Sequence, residues 1–217
     1  MKTFSTFAAL LASVAVACAT PASAKTVHFL IDESESNRVV SDPAFTRLVA
    51  REAAATVLQQ RLGDRIAVRT FGNINDTNAL RYDVQLTRRS NPPRTVARTV
   101  SRLIMRSGAR QGQRQQRTEI IAALQWNRYN CAAGDHIIVL TDGIETGAVR
   151  SPTALLNGRV SLPPPRKDFL RGCTVSFWGI GRVSSGQMTS AQVNNLRGAW
   201  AGYFRVAGAR FEAVPNP

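Results

Sequence analysis

Two carboxylates and three hydroxyls in this chain stand where they could share one cation. Asp32, Ser34 and Ser36 alternate in the run Asp32-Glu33-Ser34-Glu35-Ser36, Thr118 follows a long polar stretch, and Asp142 lies within Thr141-Asp142-Gly143. Donors of this kind suit a hard cation such as magnesium, which takes oxygen ligands in an octahedron and keeps several waters. Ser34, Ser36 and Thr118 would offer hydroxyl oxygens, and Asp32 and Asp142 carboxylates, directly or through water. Because hydroxyls are neutral, such a site leaves the metal with unspent positive charge. An acidic side chain from another molecule can then complete the shell. The competing reading of the first segment is a polar turn that binds nothing.

Catalytic patterns find less support. Two aspartates two apart after a first strand would mark a haloacid-dehalogenase-like site, but Ser34 stands where the second would be. There is no Gly-x-Ser-x-Gly elbow, and no glycine-rich phosphate loop ending in lysine and a hydroxyl residue. The sequence reads as a binding protein and not an enzyme, with a magnesium-dependent hydrolase as the remaining catalytic alternative. Zinc is conceivable from Cys131, Cys173, His28 and His136. Both histidines, however, lie inside apolar runs without ligand spacing, which favours strand or core histidines.

The elements that must position these residues are legible from periodicity. Residues 26–31 (TVHFLI) form a nearly continuous apolar run that stops at Asp32, the pattern of a buried parallel strand. Asp42-Pro43 reads as an N-cap and first-turn proline, opening a helix whose apolar stripe, Phe45 to Leu58, continues until Leu62-Gly63. Residues 65–71 and 80–86 read as strands joined by turn residues Gly72-Asn73 and Asn75-Asp76, which allows an antiparallel edge pair. Pro92-Pro93 introduces a second helix, ending near Ser107-Gly108, and 109–117 is an exposed loop. A third helix is expected over 118–129, with Ile121, Leu124, Gln125 and Trp126 marking its spacing and Thr118 at its start. Residues 136–140 and 174–180 are further buried strands, and 190–204 a last helix. This alternation predicts a doubly wound α/β domain with a mostly parallel sheet and function at the carboxyl ends of its strands.

With those elements around them, Asp32-x-Ser34-x-Ser36, then Thr118, then Asp142-Gly143 resemble the metal-ion-dependent adhesion site of von Willebrand factor A and integrin-inserted domains. The resemblance extends in order and type of elements over nearly all of the chain after residue 24. It implies a Rossmann-like sheet with one antiparallel edge strand and helices on both faces. It also implies magnesium or manganese at the top of the sheet and a protein ligand supplying Asp or Glu to the metal. Arg117 departs from the family, which commonly has glycine before the threonine, and Arg114 adds charge nearby. Glu33, Glu35 and Glu145 could offset it, and Glu145 could be an auxiliary metal residue or a solvated one. The connection 143–171, with Ser161-Leu162-Pro163-Pro164-Pro165-Arg166, would begin beside the metal and either shape the ligand surface or merely decorate it.

Compartment follows from the first residues. Lys2, the apolar run 7–17 and the triplet Ala22-Ser23-Ala24 form a secretory signal peptide over 1–24, cut before Lys25. The run is shorter than the roughly 20 residues that span a bilayer, so no transmembrane segment is expected after cleavage. Lipid attachment at Cys18 is the alternative, but Ala15, Val16 and Ala17 lack the leucine such a site usually carries. Residues 25–217 make one domain, and the style of signal and arginine-rich composition point to a bacterial periplasmic or secreted protein. There, the even pair Cys131 and Cys173 favours a disulfide. If 136–140 and 174–180 are neighbours in a parallel sheet, both cysteines fall at its amino-terminal edge, opposite the metal.

The chain has 28 basic and 14 acidic residues, a formal net charge of +14, which speaks to partners and solubility. Arg88, Arg89, Arg94, Arg98, Arg102, Arg106, Arg110, Arg114 and Arg117 lie close together in sequence, several at helical spacing. The second functional reading is therefore charge-driven binding of a polyanion, whether acidic glycan, lipid headgroups of the envelope or nucleic acid. No specific nucleic acid is expected, since no aromatics interleave with the arginines to stack bases.

Overall fold

The computed structural model describes residues 24–73, 79–109, 115–127, 129 and 131–217. The proposed signal segment up to residue 23, the turn Asn75-Asp76, and Arg110 and Arg114 lie outside the described residues. The elements are β1 (Thr26–Asp32), α1 (Arg38–Ser41), α2 (Pro43–Leu58), β2 (Arg65–Phe71), β3 (Arg81–Gln85) and α3 (Pro93–Ala109). Then follow α4 (Ile120–Trp126), β4 (His136–Leu140), α5 (Pro152–Leu156), β5 (Thr174–Trp178), α6 (Ser190–Ala207) and β6 (Arg210–Val214). The described strands form one sheet in the order β3-β2-β1-β4-β5-β6. Only the β2–β3 pairing is antiparallel, so the sheet is mostly parallel with one antiparallel edge strand.

Alternate side chains of the central strands feed two cores. Phe29 and Ile31 of β1, with Ile138 and Leu140 of β4, pack under α2 and α3 on one face. Leu30, Ile137 and Val139 point to the other face, where α4 and α6 supply Ile120, Leu124, Leu196, Trp200 and Phe204. Burial on both sides is why these strands read as continuous apolar runs without alternation. Helix starts are set locally: the Asp42 side chain accepts from the Ala44 and Phe45 N–H groups, with Pro43 in the first turn. Thr189 and Gln192 form a capping box on α6, and Gly208 closes it with φ of 79°.

The structure departs from the sequence reading in several places. Helix α2 ends at Leu58, short of Gly63; Leu58 and Leu62 are exposed, so the apolar stripe outlasts the packed helix. Helix α4 spans only Ile120–Trp126, and Thr118 precedes it in the loop. Trp126 lies about 200° around the helix from Leu124 and is 69% exposed. The connection 143–171 is packed: it contains α5 and buries Val149, Leu155, Leu162 and Leu170 in the second core. Strand β6 was not anticipated from the short alternating run Arg210-Phe211-Glu212-Ala213-Val214, and it extends the sheet parallel to β5. Among the described residues no helix is long and apolar enough to cross a membrane.

Cys131 and Cys173 form a disulfide. Since β4 and β5 are parallel neighbours, the bond crosslinks the segments entering them at the amino-terminal edge of the sheet. Zinc thus loses both thiols. His28 instead packs edge-on against Tyr129, and His136 Nε2 is 2.7 Å from Ser176 Oγ.

Candidate metal centre

Strands β1 and β4 are parallel neighbours, with Ile31 opposite Leu140. The chain therefore leaves both strands at the same edge, and Asp32 and Thr141-Asp142 emerge side by side. From β1 the sheet grows one way through β2 and the other way through β4. This reversal leaves a crevice at the carboxyl ends, the usual ligand position in open α/β sheets.

Both aspartates are wholly buried. Asp32 Oδ1 accepts from the Ser34 N–H at 2.9 Å, and Oδ2 accepts from the Thr141 hydroxyl at 2.7 Å. Asp142 Oδ1 accepts from the Ile144 N–H at 2.9 Å, whereas Oδ2 is buried with no hydrogen bond. Asn37, fully buried, donates to the carbonyls of Asp32 at 2.7 Å and Leu140 at 3.0 Å, and so ties the two strand ends together. Ser34 and Ser36 hydroxyls lie 3.4 Å apart, Ser34 buried and Ser36 partly exposed.

The segment before α4 is stitched to both loops. Gln115 exchanges backbone hydrogen bonds with Glu33 and Glu35, alongside the Asp32–Ser36 run. Thr118 accepts at its carbonyl from the Thr146 and Gly147 N–H groups, and its own N–H donates to the Thr146 hydroxyl at 2.8 Å. Thr118 is buried, and its hydroxyl makes no hydrogen bond to another described residue. The three segments expected to converge do so through backbone pairing.

Charge is the unusual feature of this crevice. Burial, then the neighbouring Asp142 charge, push the Asp32 carboxyl up to about 7, against hydrogen bonds from Thr141 and Ser34. Burial pushes Asp142 up to about 6, opposed by the Ile144 N–H and by the Ser36 hydroxyl, which lies close without hydrogen bonding to Oδ2. Two buried carboxylates that disfavour each other's charge, one with an unpartnered oxygen, fit a cation between them. The donor set is hard oxygen throughout, as magnesium and manganese prefer. Among the described residues no group of three or more His, Cys, Asp or Glu side chains assembles; the crevice brings the Asp32 and Asp142 carboxylates together with the Ser34 and Ser36 hydroxyls.

The other charged residues have separate tasks. Glu145 Oε1 accepts from the Gly147 and Ala148 N–H groups, and Oε2 from the Ile121 N–H at 2.9 Å. It thus holds its own loop and the first turn of α4, where a carboxylate complements the helix dipole. Glu33 accepts from the Ser107 hydroxyl at 2.7 Å, Glu35 is exposed, and Arg117 pairs with Glu119 at 3.2 Å. Sequence reading missed Thr141, Asn37 and Thr146. Thr141 stood beside Asp142 in the chain, but its bond to Asp32 spans 109 residues.

No family model and no curated protein matches the sequence. Solved structures similar to this chain over most of its length include two from Bacteroides. One, the conserved hypothetical protein BatB from Bacteroides thetaiotaomicron, is 14% identical with a TM-score of 0.44, covering 89% of this chain and 91% of that one. The other, an aerotolerance-related membrane protein from Bacteroides fragilis NCTC 9343 with multiple mutations to serines, is 15% identical with a TM-score of 0.45, covering 88% and 92%.

Proposed function

We propose that this chain is an exported interaction domain of the von Willebrand factor A type, not an enzyme. In this reading Asp32, Ser34, Ser36, Thr118 and Asp142 hold magnesium or manganese, and an acidic group of a partner protein completes the shell. The observation that carries the proposal is the buried, unpartnered Oδ2 of Asp142 beside the buried Asp32 carboxylate, at the point where the strand order reverses. When bound, the metal would supply a positive centre whose charge the neutral hydroxyls leave partly unspent.

The chain's own residues act by position. Thr141 and the Ser34 N–H orient Asp32, Ile144 orients Asp142, and Asn37 fixes the distance between the two strand ends. Thr146 clamps the Thr118 backbone and leaves its hydroxyl free to donate a lone pair. Holding groups on strand ends and short, hydrogen-bonded loops keeps the reorganisation cost of binding low.

The test is capture of a partner from an extract of the producing cells, in magnesium, in EDTA, and with Asp32→Ala. Capture lost in both EDTA and the variant agrees with the proposal. Capture indifferent to both but abolished by salt would replace it with simple charge attraction.

A further inference from the structure

Away from the metal crevice, the outer faces of α2 and α3 enclose an open groove of about 1380 Å³. The helices run antiparallel, since Gly108 near the end of α3 packs on Thr46 near the start of α2. Arg47 and Arg51 form the α2 rim; Arg94, Arg98 and Arg102 form the α3 rim. Between them lie Ala50, Ala54 and Ala97, of which Ala54 alone is partly exposed. Leu58, 52% exposed, stands at one end, and Met105, 36% exposed, at the other. From Arg47 to Leu58 the groove is about 16 Å long, three helical turns.

Both helices could have balanced this charge internally, yet α3 contains no acidic residue and α2 contains only Glu52. Among the described residues Arg51 alone of the five has an acidic partner, Glu52 at 3.8 Å. Small side chains between two rims of arginine, with an apolar residue at each end, make a complement for a helix with one apolar stripe flanked by carboxylates. A second copy of this chain would set arginine against arginine.

We propose that the α2–α3 groove docks an acidic amphipathic helix of a partner protein, independently of the metal crevice. The probe is a fluorescently labelled peptide of about four turns, with leucines in one stripe and glutamates on both flanks. Its binding to the whole protein is followed by anisotropy beside a scrambled peptide of the same composition. The peptide should bind the parent, and its Kd should rise about tenfold, or 1.4 kcal/mol, in Arg98→Glu/Arg102→Glu and in Ala54→Glu. Arg159→Glu/Arg205→Glu, on the other layer, Asp32→Ala and EDTA should leave it unchanged, which separates this result from the fate of the metal proposal. Circular dichroism checks that each variant is folded. Equal binding of the scrambled peptide, equal loss in the Arg159/Arg205 control, or no binding at all overturns the proposal. So does groove-dependent binding seen only with vesicles of phosphatidylglycerol in phosphatidylcholine, which would assign the surface to membranes.

Discussion

The Thr141 hydroxyl donates to Asp32 Oδ2 at 2.7 Å while accepting from the Gly143 N–H at 3.0 Å, so one side chain organises the ends of β1 and β4 together. Thr141→Val keeps the shape but leaves a buried carboxylate oxygen and a buried N–H unpaired. It should destabilise the fold by about 2 kcal/mol, lowering Tm by about 4–8 °C, and weaken divalent-ion binding. Thr141→Ser should restore both. Thermal unfolding with and without metal measures each effect; equal behaviour of the valine and parent proteins would remove Thr141 from the site's support.

Much of this site was legible because strand ends are. Asp32 and Asp142 each follow an apolar run buried on both faces, and their side-by-side placement needed only β1 and β4 to be neighbours. The layer architecture was readable for the same reason. What stayed hidden depended on contacts distant in sequence: Asn37 bridges two carbonyls, one 103 residues away, and looks like any loop asparagine until the strands pair. Likewise, nothing in the sequence signalled that both Glu145 oxygens accept backbone N–H groups, from Ile121, Gly147 and Ala148. Trp126 misled because an aromatic at the end of a short helix has no following turn to reveal its face.

His28 should make the fold acid-sensitive. Burial pushes its imidazole from 6.5 down to about 4; Asp135 and Asp83 act upward on it, and Arg69 and Arg65 downward. Its Nδ1 is buried without a hydrogen bond. Between those values the unfolded chain takes up a proton that the folded chain refuses, so this contribution is intact above pH 6.5 and declines as pH falls towards about 4. The loss totals about 3 kcal/mol. In denaturant titrations at about pH 7.5 and about pH 4.5, His28→Phe should gain on the parent by 2–3 kcal/mol at the acid end. A parent–variant difference that ignores pH contradicts this role.

The Cys131–Cys173 bond closes a separation of 42 residues, for which loop entropy gives about 4 kcal/mol. Cys131→Ser/Cys173→Ser should lose about that much stability in denaturant titrations. Because the bond and the crevice lie at opposite edges of the sheet, the metal-induced gain in stability should survive in the double variant. Loss of that gain in a variant shown to be folded would mean the two edges are coupled.

The most direct test is a melting curve of the protein with and without magnesium or manganese, beside Asp32→Ala. A cation that binds only the folded state, supplied at about a hundred times its Kd, adds about 2.7 kcal/mol, a rise of about 5–11 °C for a chain of this size. The parent should show that rise and Asp32→Ala should not. A parent Tm unmoved by either ion, or a rise equal in the variant, would contradict a metal held between Asp32 and Asp142.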